Sequence, residues 1–92
     1  MPRLELHHVA GKCSSELTCT LCVGHHMPIS NRQWCWDVRW NSQSNSEGLR
    51  ASFIVQGVQE LLVELHASTG IHDYRVLADS LSPTIRGYRE RG

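Results

Sequence analysis

The run from Leu49 to Leu65 sets the tightest limit on what this chain can fold into. Leu49, Phe53, Ile54, Gly57, Val58, Leu61, Leu62 and Leu65 recur at three- and four-residue intervals. That spacing lines one stripe of an α-helix. Ser46 and Glu47 stand before the run and Gly70 after it, as a helix start and stop require. The stripe must be covered by the rest of a chain of 92 residues. A single domain of that size buries only about 60–65% of the surface its unfolded form exposes, so its core is modest. Gln56, Gln59, Glu60 and Glu64 interrupt the same run, which makes it too short and too polar to span a membrane.

Other elements can be placed around this helix. A shorter helix is expected from His72 to Leu81, carrying Tyr74, Val76, Leu77 and Leu81, with Asp73 early and Pro83 beyond its end. Residues 41–48, NSQSNSEG, read as a polar linker. Residues 83–92 contain Pro83, Gly87 and the arginines Arg86, Arg89 and Arg91, diluted by Glu90, and are expected to form a flexible tail. The chain before the linker predicts a strand over Leu4–Ala10, a turn over Gly11–Ser15, a second strand over Leu17–Leu21 and a helix from about Cys22 to Trp34. Pro28 falls inside that helix, where proline costs roughly 3 kcal/mol unless the helix starts later or bends.

Nine basic and nine acidic residues give no formal net charge, which argues against a strongly basic nucleic-acid wrapper but not against local phosphate contacts. The start MPRLE is not a charged segment leading into an apolar one, so no secretory leader is read. Four cysteines in such a chain are expected as thiols or metal ligands rather than disulfides.

The chemistry-bearing residues crowd the first part. Residues 1–36 hold all four cysteines and four of the six histidines. LELHHVAG offers His7 and His8, and LTCTLCVGHH offers Cys19, Cys22, His25 and His26. Neighbouring strand side chains diverge, so His7 and His8 can take different tasks. A hairpin followed by a helix can bring His7 or His8 close to His26, with room for a divalent metal between them.

HHVAG, a short polar loop, LTxxLCxxxH and then SxRQ together resemble the HNH endonucleases, the ββα-metal or His-Me finger group, and more narrowly its small bacterial and phage members. The resemblance covers about residues 4–40. It implies a ββα-metal hairpin–helix over residues 1–40, which with the one long and one shorter α-helix read from the spacing over residues 49–82 of the same domain gives an expected α+β fold. It implies a metal-dependent endonuclease that hydrolyses DNA phosphodiesters in the cytoplasm of a bacterial or phage-infected cell. Carried over by position, the metal-binding histidines fall on His7 and His26 and the general base on His8. Ser14 or Ser15 stands near the place of the motif's middle asparagine, with Ser14 the candidate. Imidazoles suit several divalent metals, thiolates suit zinc and Mg²⁺ prefers oxygen, so Mg²⁺, Mn²⁺, Ni²⁺ and Zn²⁺ are not distinguished.

The chain also departs from the pattern. His25 replaces a cysteine of the usual LCxxCH, and the upstream Cys-x-x-Cys that completes a structural zinc in many relatives is missing. Either the zinc is dispensed with, or the chain is short at its N-terminus, or Cys13, Cys19, Cys22 and His25 supply a substitute. Cys19, Cys22 and His25 have workable ligand spacing. The alternative function is an inactive zinc- or nucleic-acid-binding module on the same scaffold. Arg32 and Arg39 are candidate DNA contacts. The near-neutral charge predicts weak nonspecific DNA affinity without help from the tail, a homodimer or a bacterial or phage partner protein. Trp34, Trp36 and Trp40 could stack on bases, though such clusters more often pack a small core. His66 and His72 flank a turn and are assigned no chemistry.

Overall fold

The computed structural model describes residues 3–91. Two strands, β1 (Leu4–His8) and β2 (Thr18–Cys22), form an antiparallel hairpin in which His7 faces Cys19 and Leu4 faces Cys22. Four helices follow: α1 (Val23–Gln33), α2 (Glu47–Thr69), α3 (His72–Ser80) and α4 (Ser82–Arg91), with a short 3₁₀ turn at Val38–Asn41 between α1 and α2. The molecule is therefore α+β, a hairpin and helix followed by a helical half. Among the described residues no helix is long and apolar enough to cross a membrane.

Strand β1 ends at His8 rather than Ala10. The chain turns there because Gly11 adopts φ +82° and donates its N–H to the His8 carbonyl at 3.1 Å, a conformation only glycine enters without strain. The second strand is shifted by one residue, to Thr18–Cys22. Helix α1 starts directly after it and runs through Pro28. Burial of Ile29 and Gln33 on its inner face offsets the proline penalty.

Helix α2 starts and stops where its caps dictate. The Ser46 hydroxyl accepts from the Leu49 N–H at 3.2 Å, and Gly70 closes the helix at φ +72°, as left-handed C-terminal glycines do. The helix is a turn longer than the apolar stripe. It packs against α1, α3 and α4, with Leu49 and Phe53 in a core shared with Ala10, Trp36 and Trp40.

The tail is not loose: residues 82–91 form α4 against α2. Pro83 sits in its first turn, where no intrahelical N–H is needed. Ile85 is buried. The Arg89 guanidinium lies 4.6 Å from the Phe53 ring centroid and donates to Ser52 Oγ at 3.3 Å and Gln56 Oε1 at 2.7 Å. Gln59 Nε2 fastens the α3–α4 joint by donating to the Ala78 carbonyl at 2.7 Å and to Ser82 Oγ at 2.9 Å.

Gly57 marks a close crossing of two backbones. A Cβ there would lie 2.0 Å from the Val9 carbonyl oxygen, so α2 meets the exit of β1 backbone to backbone. Gly57→Ala should destabilise the protein by about 3 kcal/mol or more, since neither backbone can yield cheaply; the urea unfolding midpoint reads this, and an unchanged midpoint would refute the close crossing.

Candidate metal centre

Hydrophobic alternation along β1 is inverted. Leu4 and Leu6 are exposed, whereas Glu5 is partly buried and His7 only 1% exposed. Side chains two apart share a strand face, so Glu5 and His7 point the same way, toward α1. A strand that turns its leucines outward and its ionisable groups inward has been shaped by something other than core packing.

His7 and His26 meet on that inner side, with ring centroids 5.1 Å apart in an edge-to-face arrangement at 66°. The hairpin positions the first, and the first turns of α1 position the second. Glu5 Oε1 lies 3.0 Å from His26 Nδ1. A proton on Nδ1, donated to the carboxylate, leaves Nε2 as the lone-pair nitrogen, the arrangement that orients histidine ligands in metal sites. His7 Nε2 is buried and has no hydrogen-bond partner in the protein. Buried imidazole nitrogens are rarely left so. Burial first, then the proximity of His26 and His8, holds the His7 pKa below its ordinary value. Its imidazole stays neutral, the form that binds a metal.

Both histidines line a cleft of about 360 Å³ together with His8, Lys12, Trp34 and Asn41. Although consecutive on the strand, His7 and His8 reach the same cleft because the chain turns immediately after them. Among the described residues no Asp or Glu lines it directly, and Glu5 reaches it only through His26. Among the described residues no three His, Cys, Asp or Glu side chains converge on one point. His7 and His26 are the two histidines that the fold brings ring to ring.

The remaining candidates fall elsewhere. Ser14 is buried in the turn after β1, its hydroxyl without a partner, but it does not line the cleft. Cys19 and Cys22 do not form a chelating pair with His25. Strand parity sends Cys19 to the His7 face and Cys22 to the opposite one, whereas a Cys-x2-Cys ligand pair needs a turn. His25 is engaged instead by Cys22, with Nδ1 3.2 Å from Sγ, and by Ser68, with Nε2 3.0 Å from Oγ. Cys13 directs its thiol at Asn41 Oδ1 across 3.8 Å.

The arginines expected to meet DNA are both paired within the protein. Arg32 bonds Glu60 through Nε and reaches Glu64 at 3.4 Å, which ties α1 to α2. Arg39 holds Asp37 through two guanidinium contacts of 3.0 and 2.7 Å, and those contacts pull the Asp37 carboxyl down to about 2. Lys12 is the lysine or arginine that lines the cleft.

Gln33 joins the site to the fold. Its buried amide donates to the His8 carbonyl at 3.3 Å and approaches the Val9 carbonyl at 3.5 Å. Arg32 and Gln33 of the SxRQ segment thus act as braces. Glu5, Lys12 and Asn41 carry no motif of their own. The two-residue spacing of Glu5 and His7 is the one sequence signal that could have found the first of them.

In comparisons with known proteins, no family model matches this chain, and neither a curated protein nor a solved structure matches it significantly.

The lowered pKa of His7 fixes the sign of a pH effect. The unfolded chain takes up a proton near the ordinary histidine value, and the folded chain resists it. His7 therefore contributes stability above that value and loses it as pH falls toward the depressed one. Metal-free protein should lose more stability between about pH 7.5 and about pH 5.5 than the His7→Gln variant does. Parallel urea titrations test this, and equal losses would contradict the burial argument.

Proposed function

We propose that this protein is a metal-dependent endonuclease of the HNH type that hydrolyses DNA phosphodiester bonds. One observation carries the reading: His7, whose buried Nε2 has no partner, packs ring to ring with His26, whose Nδ1 is held by Glu5, in a cleft that His8 shares. The resemblance of HHVAG and LTxxLCxxxH to that family supports it, because it assigns the metal to the same two histidines.

The chain's own groups divide the work. His8 takes the proton from the attacking water as the general base. Lys12 draws the phosphodiester in. Glu5 keeps His26 in the tautomer that presents Nε2. A divalent cation held by His7 and His26 would polarise the phosphate and stabilise the leaving oxygen. Two imidazoles suit Mn²⁺, Ni²⁺ or Zn²⁺ better than Mg²⁺.

A second reading, a metal- or nucleic-acid-binding module without activity, is favoured by the position of Ser14. The residue nearest the motif's asparagine does not line the cleft, which leaves His8 without that orienting group.

Nicking of supercoiled plasmid with each divalent metal and a chelator control decides between them. Wild type should nick in a metal-dependent manner. His8→Ala should lose at least roughly 100-fold in rate while still binding metal; equal rates would sink the base assignment, and no nicking by folded wild type would leave the binding module. Independently, Glu5→Gln should weaken Ni²⁺ or Zn²⁺ binding roughly 10- to 100-fold by calorimetry.

A further inference from the structure

The three tryptophans of NRQWCWDVRW do not share one fate. Trp36 and Trp40 are buried at 7% and 8% exposure, whereas Trp34 is 71% exposed. An exposed apolar side chain alone says little. Trp34 differs in where it stands and how it is held. It caps the C-terminus of α1, its N–H bonded to the Ser30 carbonyl at 3.2 Å, and it lines the histidine cleft. Trp40 meets it edge-to-face, centroids 5.3 Å apart at 89°.

Trp40 is in turn immobilised. It packs over Gly11 so closely that a Cβ there would lie 2.7 Å from its ring. It also touches Trp36, which lies parallel to Phe53 at 6.1 Å. The indole of Trp34 is thus an open aromatic surface anchored through a chain of rings to the core.

We propose that Trp34 is a stacking platform for one unpaired nucleobase of the strand whose phosphate enters the cleft. Single-stranded or locally melted DNA then becomes the preferred ligand over intact duplex. This rests on the nuclease reading for the identity of the ligand. Bases within a duplex are stacked on one another and offer proteins only their edges, so an indole face can be covered only by a base out of the stack. Charge points the same way. Duplex affinity comes chiefly from many phosphate contacts, and a chain of zero net charge with Arg32 and Arg39 paired internally has few to offer. Stacking supplies affinity without them.

Binding of a short single-stranded oligonucleotide and of the blunt duplex of the same sequence, followed by fluorescence anisotropy in chelator, tests the platform apart from metal and cleavage. Wild type should prefer the single strand. Trp34→Leu should weaken single-strand binding roughly 10-fold or more, Trp34→Phe should retain most of it, and duplex binding should change little. Thermal melting and Ni²⁺ binding should match wild type in both variants. Unchanged single-strand affinity in folded Trp34→Leu overturns the proposal, as does a duplex preference in wild type. If wild type never cleaves yet Trp34→Leu loses the oligonucleotide, the nuclease reading falls and the platform stands. If cleavage holds while Trp34→Leu binds and cuts single strands normally, the platform falls and the nuclease reading stands.

Discussion

The backbone crossing of Gly57 and Val9 governs the rest of the molecule. It sets α2 against the point where β1 turns, one residue beyond His8, with no side chain between the two backbones. Gln33 closes the same junction from α1 by bonding the carbonyls of His8 and Val9. The strand carrying the two histidines is therefore fixed at its exit by two helices. In a small core, where few apolar contacts are available to define geometry, a close backbone approach and a buried amide give the positional accuracy that a ligand site needs.

Two arginines play the complementary part between the helices. Arg32 spans from α1 to Glu60 and Glu64, one turn apart on α2. Arg89 covers Phe53 and satisfies Ser52 and Gln56. Both arginines work as struts across helix interfaces, using their aliphatic stems as well as their charge. The nucleic-acid reading consequently leans on Lys12, the histidines and Trp34 rather than on arginine.

Much of this was legible from periodicity and spacing. The apolar stripe gave α2, Ser46 and Gly70 gave its ends, and the turn between two short apolar runs gave the hairpin that brings His7 to His26. The misplaced parts share a physical cause: local signals were overridden by distant contacts. Pro83 and Gly87 suggested a loose tail, but Ile85 and Arg89 have a surface on α2 to cover. The Cys19–Cys22 spacing suited a ligand pair only if the chain turned between them, and pairing with β1 kept it extended. Arg32 looked available because its acidic partners lie in another helix. Asn41 reads as linker in the sequence, whereas a 3₁₀ turn folds it back to the cleft. Trp34 could not be told from its two buried neighbours, because alternation along an irregular segment carries no fixed period.

The order of synthesis gives the Gly57 crossing one more meaning. Every side chain of the cleft lies between Leu6 and Asn41, so all of them leave the ribosome before α2 begins at Glu47. Until Gly57 follows, the hairpin has only α1 to lean on, through His26 and Gln33. A two-stranded hairpin is marginal by itself in water. The nascent chain thus carries these cleft residues before α2 fixes their spacing, and α4, emerging after α2, completes the cover over Phe53.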